Sequence, residues 1–189
     1  MYAQIKKIKE NKTDLPDSHS KTIQRAATVT VRNNINNYDS GWIQAETRST
    51  GVENGPRAEA QAVAAIAGGT WIGGHMVNDR LGGSGGFSNI VPITSSMNNR
   101  HHTIENAAQA RVGNGGGAYE VRYYMNILHR NNYRLTGGTV NNLADQFQQR
   151  YEWRTKEVPA RGTARRGTPY QAPGPITRVD GSILNMTVP

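Results

Sequence analysis

The sequence lacks cysteine altogether and has little aromatic character. Because none of its 189 residues is Cys, disulfides, thiolate metal clusters and cysteine nucleophiles are excluded, and a metal would need His, carboxylate, amide or water ligands. Aromatic residues make up 7% of the chain and hydrophobic residues 35%, whereas 21 residues are glycine. This composition predicts one modest, loop-rich core.

The sequence also has no long hydrophobic run. No apolar stretch approaches the roughly 20 residues that a membrane-spanning helix needs. Residues 1–14 contain a basic stretch, but the apolar region that follows it in a secretory signal peptide is missing. We therefore expect neither a membrane span nor a Sec signal peptide.

Positive charge is present in excess. The chain has 22 Lys and Arg residues against 14 Asp and Glu residues, a formal net charge of +8 and a pI near 10.0. Such a balance favours a polyanionic partner, such as DNA or RNA, although charge alone equally fits a solvated surface.

Composition divides the chain into three parts. Residues 1–27 are polar, rich in Lys and poor in apolar residues, which predicts a flexible leader. Residues 28–158 hold the periodic apolar patterns of a folded domain, and residues 159–189 form an extension rich in Arg, Pro and Gly. The fold class that this pattern predicts is α+β. The predicted helices are 56–67, 97–112 (capped by Ser95 or Ser96) and, in short form, 139–147; the predicted strands are 27–31, 70–77, 119–127, 151–155 and 182–188.

One segment, 73–105, has the spacing of a site for phosphodiester hydrolysis. Asn89 follows His75 by fourteen positions, Asn98 follows nine later, and Glu105 lies seven beyond. On a helix, Asn98 and Glu105 are about 20° from eclipsed, and His102 shares their face. The reaction needs a base to activate water and a positive centre to neutralise the charge on phosphorus. A neutral imidazole supplies the first, and a hard cation held by an amide oxygen supplies the second.

This order of motifs resembles the ββα-metal (His-Me finger) nucleases. It is most similar to the DNA/RNA non-specific endonuclease branch found in bacterial polymorphic toxins. The matching pieces are Gly73-Gly74-His75-Met76, Gly82-Gly83-Ser84-Gly85, Ser88-Asn89-Ile90-Val91-Pro92 and Met97-Asn98. The resemblance implies a ββα-metal core with a flanking antiparallel sheet and short helices.

The resemblance also implies a role for each motif residue. His75 would be the general base, Asn98 the protein ligand of Mg²⁺, with Mn²⁺ as an alternative, and Asn89 a structural residue that ties the loop between the two strands. Glu105 would orient metal-bound water. Arg80 is a candidate phosphate contact near the site.

Several positions leave alternatives open. Arg100 is a second candidate phosphate contact, and either His101 or His102 could be an added acid, a phosphate contact, a second metal ligand or a surface residue. The same fourteen-and-nine spacing occurs in HNH endonucleases, but these carry an acidic or His ligand where this chain has Gly74. Glu105 lies one residue nearer to Asn98 than in the related branch.

The leader has a second, fainter resemblance. Its first residues, MYAQIKKIKENKT, are similar to the N-termini of some cargo proteins of extracellular contractile injection systems. Together the two resemblances predict a Mg²⁺-dependent endonuclease that is made in the bacterial cytoplasm and injected or exported as a toxin effector. The injection tube and a cognate immunity protein are then candidate partners. Two alternatives remain: a site-preferring HNH-type DNase, and a non-enzymatic, basic nucleic-acid-binding component of an injection system.

Overall fold

A computed structural model describes residues 26–47, 51–114, 117–158 and 169–189 of the chain. It confirms the predicted α+β class. The strands are β1 (Ala27–Thr30), β2 (Asn37–Ile43), β3 (Trp71–His75), β4 (Ile90–Thr94), β5 (Tyr119–Leu135), β6 (Gly138–Thr155) and β7 (Thr177–Asn185), and the helices are α1 (Asn54–Ala67) and α2 (Ser95–Asn114).

The larger of two sheets is built around the long β5–β6 hairpin. Its strand order is β1-β6-β5-β2, and β7 also pairs with β6. The first half of β6 pairs with β1 in parallel, from Gly138 to Asn141, and its second half pairs with β7 in antiparallel, from Gln146 to Trp153. The last described strand is therefore part of this sheet.

The core lies between one face of this sheet and the two helices. Tyr123, Met125 and Phe147 are fully buried on that face, where side chains alternate between buried and more exposed positions along each strand. The apolar stripe of α2 packs against these residues, and α1 adds Val63 and Ile66 to the same core. The opposite face of the sheet is polar.

The smaller sheet is the two-stranded antiparallel hairpin of β3 and β4, which runs directly into α2. Thr94 ends β4, and its Oγ1 accepts a hydrogen bond of 3.2 Å from the backbone N–H of Met97. Thr94 is thus the N-cap of α2, in place of the predicted Ser95 or Ser96, because β4 continues to the first helical residue without a loop.

The prediction of a short helix over 139–147 is wrong. These residues belong to β6, because β5 pairs along one side of the segment while β1, up to Asn141, and β7, from Gln146, pair on the other, and this pairing overrides the local preference. The last strand begins earlier than predicted, at Thr177. The leader up to residue 25 and the Arg-rich residues 159–168 lie outside the described ranges. Within those ranges, no helix is long and apolar enough to cross a membrane.

Candidate active site

The hairpin of β3 and β4, followed by α2, carries the residues predicted from the spacing. His75 is the last residue of β3 and pairs with Ile90 of β4. Asn98 lies in the first turn of α2, and Glu105 follows two turns later. The chain order around these residues is therefore strand, strand and helix.

Asn89 holds together the loop that joins the two strands. Its side-chain Oδ1 accepts from the N–H of Val77 at 2.8 Å, and its Nδ2 donates to the carbonyls of Val77 and Ser84, both at 2.9 Å. Glycine is needed beside it, because a Cβ at Gly83 would lie 1.7 Å from the Val77 carbonyl oxygen. The glycine-rich loop is thus a tight turn packed around one buried amide.

Gly74 occupies the position at which an HNH enzyme would carry a metal ligand. A Cβ there would lie 2.1 Å from Cδ1 of Ile93, which is fully buried. Because side chains alternate along a strand, position 74 faces the core, whereas His75 faces the other side of the hairpin. This position has no room for a ligand side chain.

His75 is half-buried, and its surroundings keep the imidazole neutral. Burial lowers its pKa below the ordinary 6.5; the charge of Asp79 and a hydrogen bond with the Gly51 backbone partly oppose this shift. The Nε2 atom is buried, and no group in the described part of the chain lies within hydrogen-bond distance of it. A neutral ring near pH 7 is the form that a general base requires.

Asn98 and His102 contact each other on the first two turns of α2. Nδ2 of Asn98 and Nε2 of His102 are 3.2 Å apart, so the carbonyl oxygen of Asn98 is the atom suited to a hard cation. Among the residues that the structure describes, no group of three or more His, Asp and Glu side chains could hold a metal ion. The carbonyl oxygen of Asn98 is one ligand of the kind that Mg²⁺ accepts, and water and phosphate are common further ligands of this ion.

Glu105 is buried on the same face of α2 as Asn98. It is 3% exposed, and its Oε2 accepts a hydrogen bond of 3.4 Å from Nδ2 of Asn78. Burial raises its pKa to about 7; Asn78 opposes this shift and the charge of Asp79 adds to it. Glu105 therefore holds its proton for part of the time at neutral pH.

Two residues that the sequence analysis missed connect these groups. Asn78 and Asp79 lie at the start of a short 3-10 helix of one turn, Asp79–Leu81, which follows β3. Asn78 bonds to Glu105, and the charge of Asp79 acts on both His75 and Glu105, so Asp79 lies near both predicted catalytic residues. The only available signal was an Asn-Asp pair three residues after His75, which is equally typical of a turn.

The remaining predicted residues lie in different surroundings, one in the core and two at the surface. His101 is 1% exposed, packs edge-on against Phe147 with ring centroids 5.2 Å apart, and has a pKa lowered to about 3 by burial. It belongs to the core, which excludes the surface and phosphate-contact interpretations. Arg100 points to the opposite side of α2, where Nη1 donates to the Asn185 carbonyl at 2.8 Å. Arg80 is exposed, beside Asp79.

The described part of the chain is nearly neutral. The segments 1–25, 48–50 and 159–168 lie outside the described ranges. They hold ten of the 22 basic residues but only three of the 14 acidic residues. The excess of positive charge that favoured a polyanionic partner thus comes mainly from residues outside the described ranges.

Comparison of the chain with known protein families, curated proteins and solved structures found no significant match. The assignment to the ββα-metal nucleases therefore stays a prediction that rests on residues 73–105.

Proposed function

We propose that this chain is a Mg²⁺-dependent endonuclease that hydrolyses phosphodiester bonds of DNA, RNA or both without sequence specificity. The observation that carries the proposal is the β3–β4–α2 unit. It places a half-buried, neutral His75 at the end of its first strand and Asn98 in the first turn of the following helix. Asn89 fixes the connection between the strands with three hydrogen bonds.

In the proposed reaction, His75 takes a proton from water, and the hydroxide attacks phosphorus as the bond to the 3′ oxygen breaks. Asp79 is close enough for its charge to act on His75, so it favours the protonated ring that forms. Asn98 would hold Mg²⁺, which supplies the positive charge that the phosphorus centre and the leaving oxygen require. Arg80, which is exposed and follows His75 by five residues, would contact an adjacent phosphate.

The biological setting is a further part of the proposal. The resemblance of residues 73–105 to toxin nucleases, and of the leader to injected cargo, supports an effector that an injection system delivers into a target cell. A cognate immunity protein would then protect the producing cell.

A second candidate function is non-enzymatic binding of nucleic acid. It is favoured by the distribution of charge, since most of the excess of basic residues belongs to sequence segments other than the motif at 73–105. Such a protein would bind through phosphate contacts that weaken with salt.

The test is incubation of the protein with supercoiled plasmid and with RNA, in Mg²⁺ or in EDTA. We expect loss of substrate in Mg²⁺ alone, and no loss with Asn98→Ala. Retarded migration without cleavage would support the binding protein, and discrete DNA fragments with intact RNA would support an HNH-type DNase.

A further inference from the structure

A pocket of about 260 Å³ lies between α1 and β3, and its lining ends at Gly73, two residues before His75. Its lining includes residues of α1, of β3 and of the segment that precedes α1: Val52, Arg57, Ala60, Gln61, Trp71 and Gly73. The volume is below the range of about 300–1,000 Å³ that is typical of pockets for drug-sized ligands. It therefore fits one ring system rather than a whole nucleotide.

The pocket and His75 are on the same side of the hairpin. Gly73 and His75 are two residues apart in a regular strand, so they share a face and are separated by about 7 Å. Val52 lies against this face, since a Cβ at Gly73 would be 3.0 Å from its Cγ1. The preceding residue, Gly51, hydrogen-bonds to His75 through its backbone. A ligand in the pocket would thus lie beside the proposed base.

The chemistry of the walls suits a flat, uncharged ring with polar edges. Ala60 and Trp71 form apolar parts of the wall, both almost fully buried. Arg57 and Gln61 are exposed at the rim, four residues apart on one face of α1, and Arg57 donates from Nη2 to the Val52 carbonyl at 3.1 Å. No acidic side chain lines the pocket. Gln61 offers both a donor and an acceptor to a base edge.

We infer that this pocket binds the nucleobase next to the scissile phosphate, and that the preferred substrate is a strand in which this base is unpaired. The inference rests on the proposed nuclease function and adds a substrate class to it. A base can enter such a pocket only when it is unstacked and splayed out, as in single strands and loops. Single-stranded DNA or RNA should therefore be cleaved faster than a duplex of the same sequence.

The decisive experiment uses dinucleoside monophosphates with one scissile bond, together with two analogues that lack the base on one side or the other. For the wild-type protein, removal of one base should raise KM about fivefold or more, the lower end of the range for one stacked base, with little change in kcat. Gln61→Ala should abolish this preference. The control Gln148→Ala, on the opposite face of the large sheet, should keep it.

Equal KM values for the intact and both abasic substrates would overturn the inference, as would a Gln61→Ala protein with the wild-type preference. Circular dichroism must show that both variants are folded, which their surface positions favour. Failure of the nuclease proposal looks different, because the wild-type protein would then cleave none of the substrates.

Discussion

The large sheet and the β3–β4–α2 unit differ in where they keep their polar side chains. On the open face of the sheet, most polar groups are partly exposed and paired: Arg122 binds Asp39, with Nε 2.9 Å from Oδ1, and the guanidinium of Arg150 lies 4.1 Å from the ring centre of Tyr124. In the β3–β4–α2 unit, Asn89 and Glu105 are buried.

This difference separates polar groups that water screens from polar groups whose burial affects both stability and protonation. Exposed pairs contribute little to stability, because water screens them and their side chains must be ordered. Buried polar groups depend on every partner that they have, and burial shifts their pKa values. The β3–β4–α2 unit therefore holds buried polar groups that are sensitive to mutation and whose pKa values are shifted. Shifted pKa values are typical of catalytic sites.

The largest expected contrast between the regions is in stability. Asn89→Ala leaves the Val77 backbone N–H without its buried partner, and should lower the free energy of unfolding by about 2–4 kcal/mol. Arg122→Ala removes an exposed ion pair and should cost about 1 kcal/mol or less. Urea denaturation of both variants measures these changes in the free energy of unfolding. Equal decreases for the two variants would contradict the proposed difference between the two regions.

A smaller effect should appear in the pH dependence of stability. The pKa of Glu105 is raised from 4.5 to about 7, so between these values the folded protein holds a proton that the unfolded chain releases. The free energy of unfolding should fall as pH rises through this window, by up to about 3 kcal/mol. Glu105→Gln should match the wild type near pH 4 and exceed its stability by about that amount at pH 8.

Urea denaturation in EDTA, which removes any cation that would lower the pKa of Glu105, tests this dependence. Glu157→Gln removes the same charge from an exposed position and is the matched control. Parallel pH curves for wild type and Glu105→Gln would show that Glu105 ionises normally.

The smallest expected effect concerns His101. Neither of its ring nitrogens has a hydrogen-bond partner among the described residues, so His101→Leu should raise stability by about 1 kcal/mol at pH 7. The gain should grow as pH falls from 6.5 towards 3, because the unfolded chain binds a proton that the buried ring does not. Thermal unfolding at pH 7 and pH 5 checks both points, and a variant less stable than the wild type at pH 5 would contradict them.

The sequence predicted most of the candidate site because its pattern is local. His75, Asn89 and Asn98 belong to one short stretch in which a strand, a glycine-rich turn, a second strand and a helix follow each other. Contacts that come from elsewhere could not be read in this way. Gly51 hydrogen-bonds to His75 from the segment that precedes α1. Asp79 lies in a turn whose sequence is equally typical of any turn, so the pattern did not identify it as a site residue.

Two misinterpretations have distinct physical origins. Residues 139–147 were predicted as a helix, but strand pairing on both sides decides their structure, and a single segment does not reveal its partners. The sequence did contain a pattern that predicts the burial of His101. Met97, His101, Ala108 and Val112 recur at the helical period and form the buried stripe of α2.

The measurement that tests the central claim most directly compares two histidines. His75→Ala and His129→Ala remove the same ring, the first from the end of β3 and the second from an exposed position where it bonds to Asp145. With plasmid and RNA in Mg²⁺, the account predicts that folded His75→Ala is inactive, whereas His129→Ala cleaves like the wild type. A folded His75→Ala protein that cleaves at the wild-type rate would contradict the account.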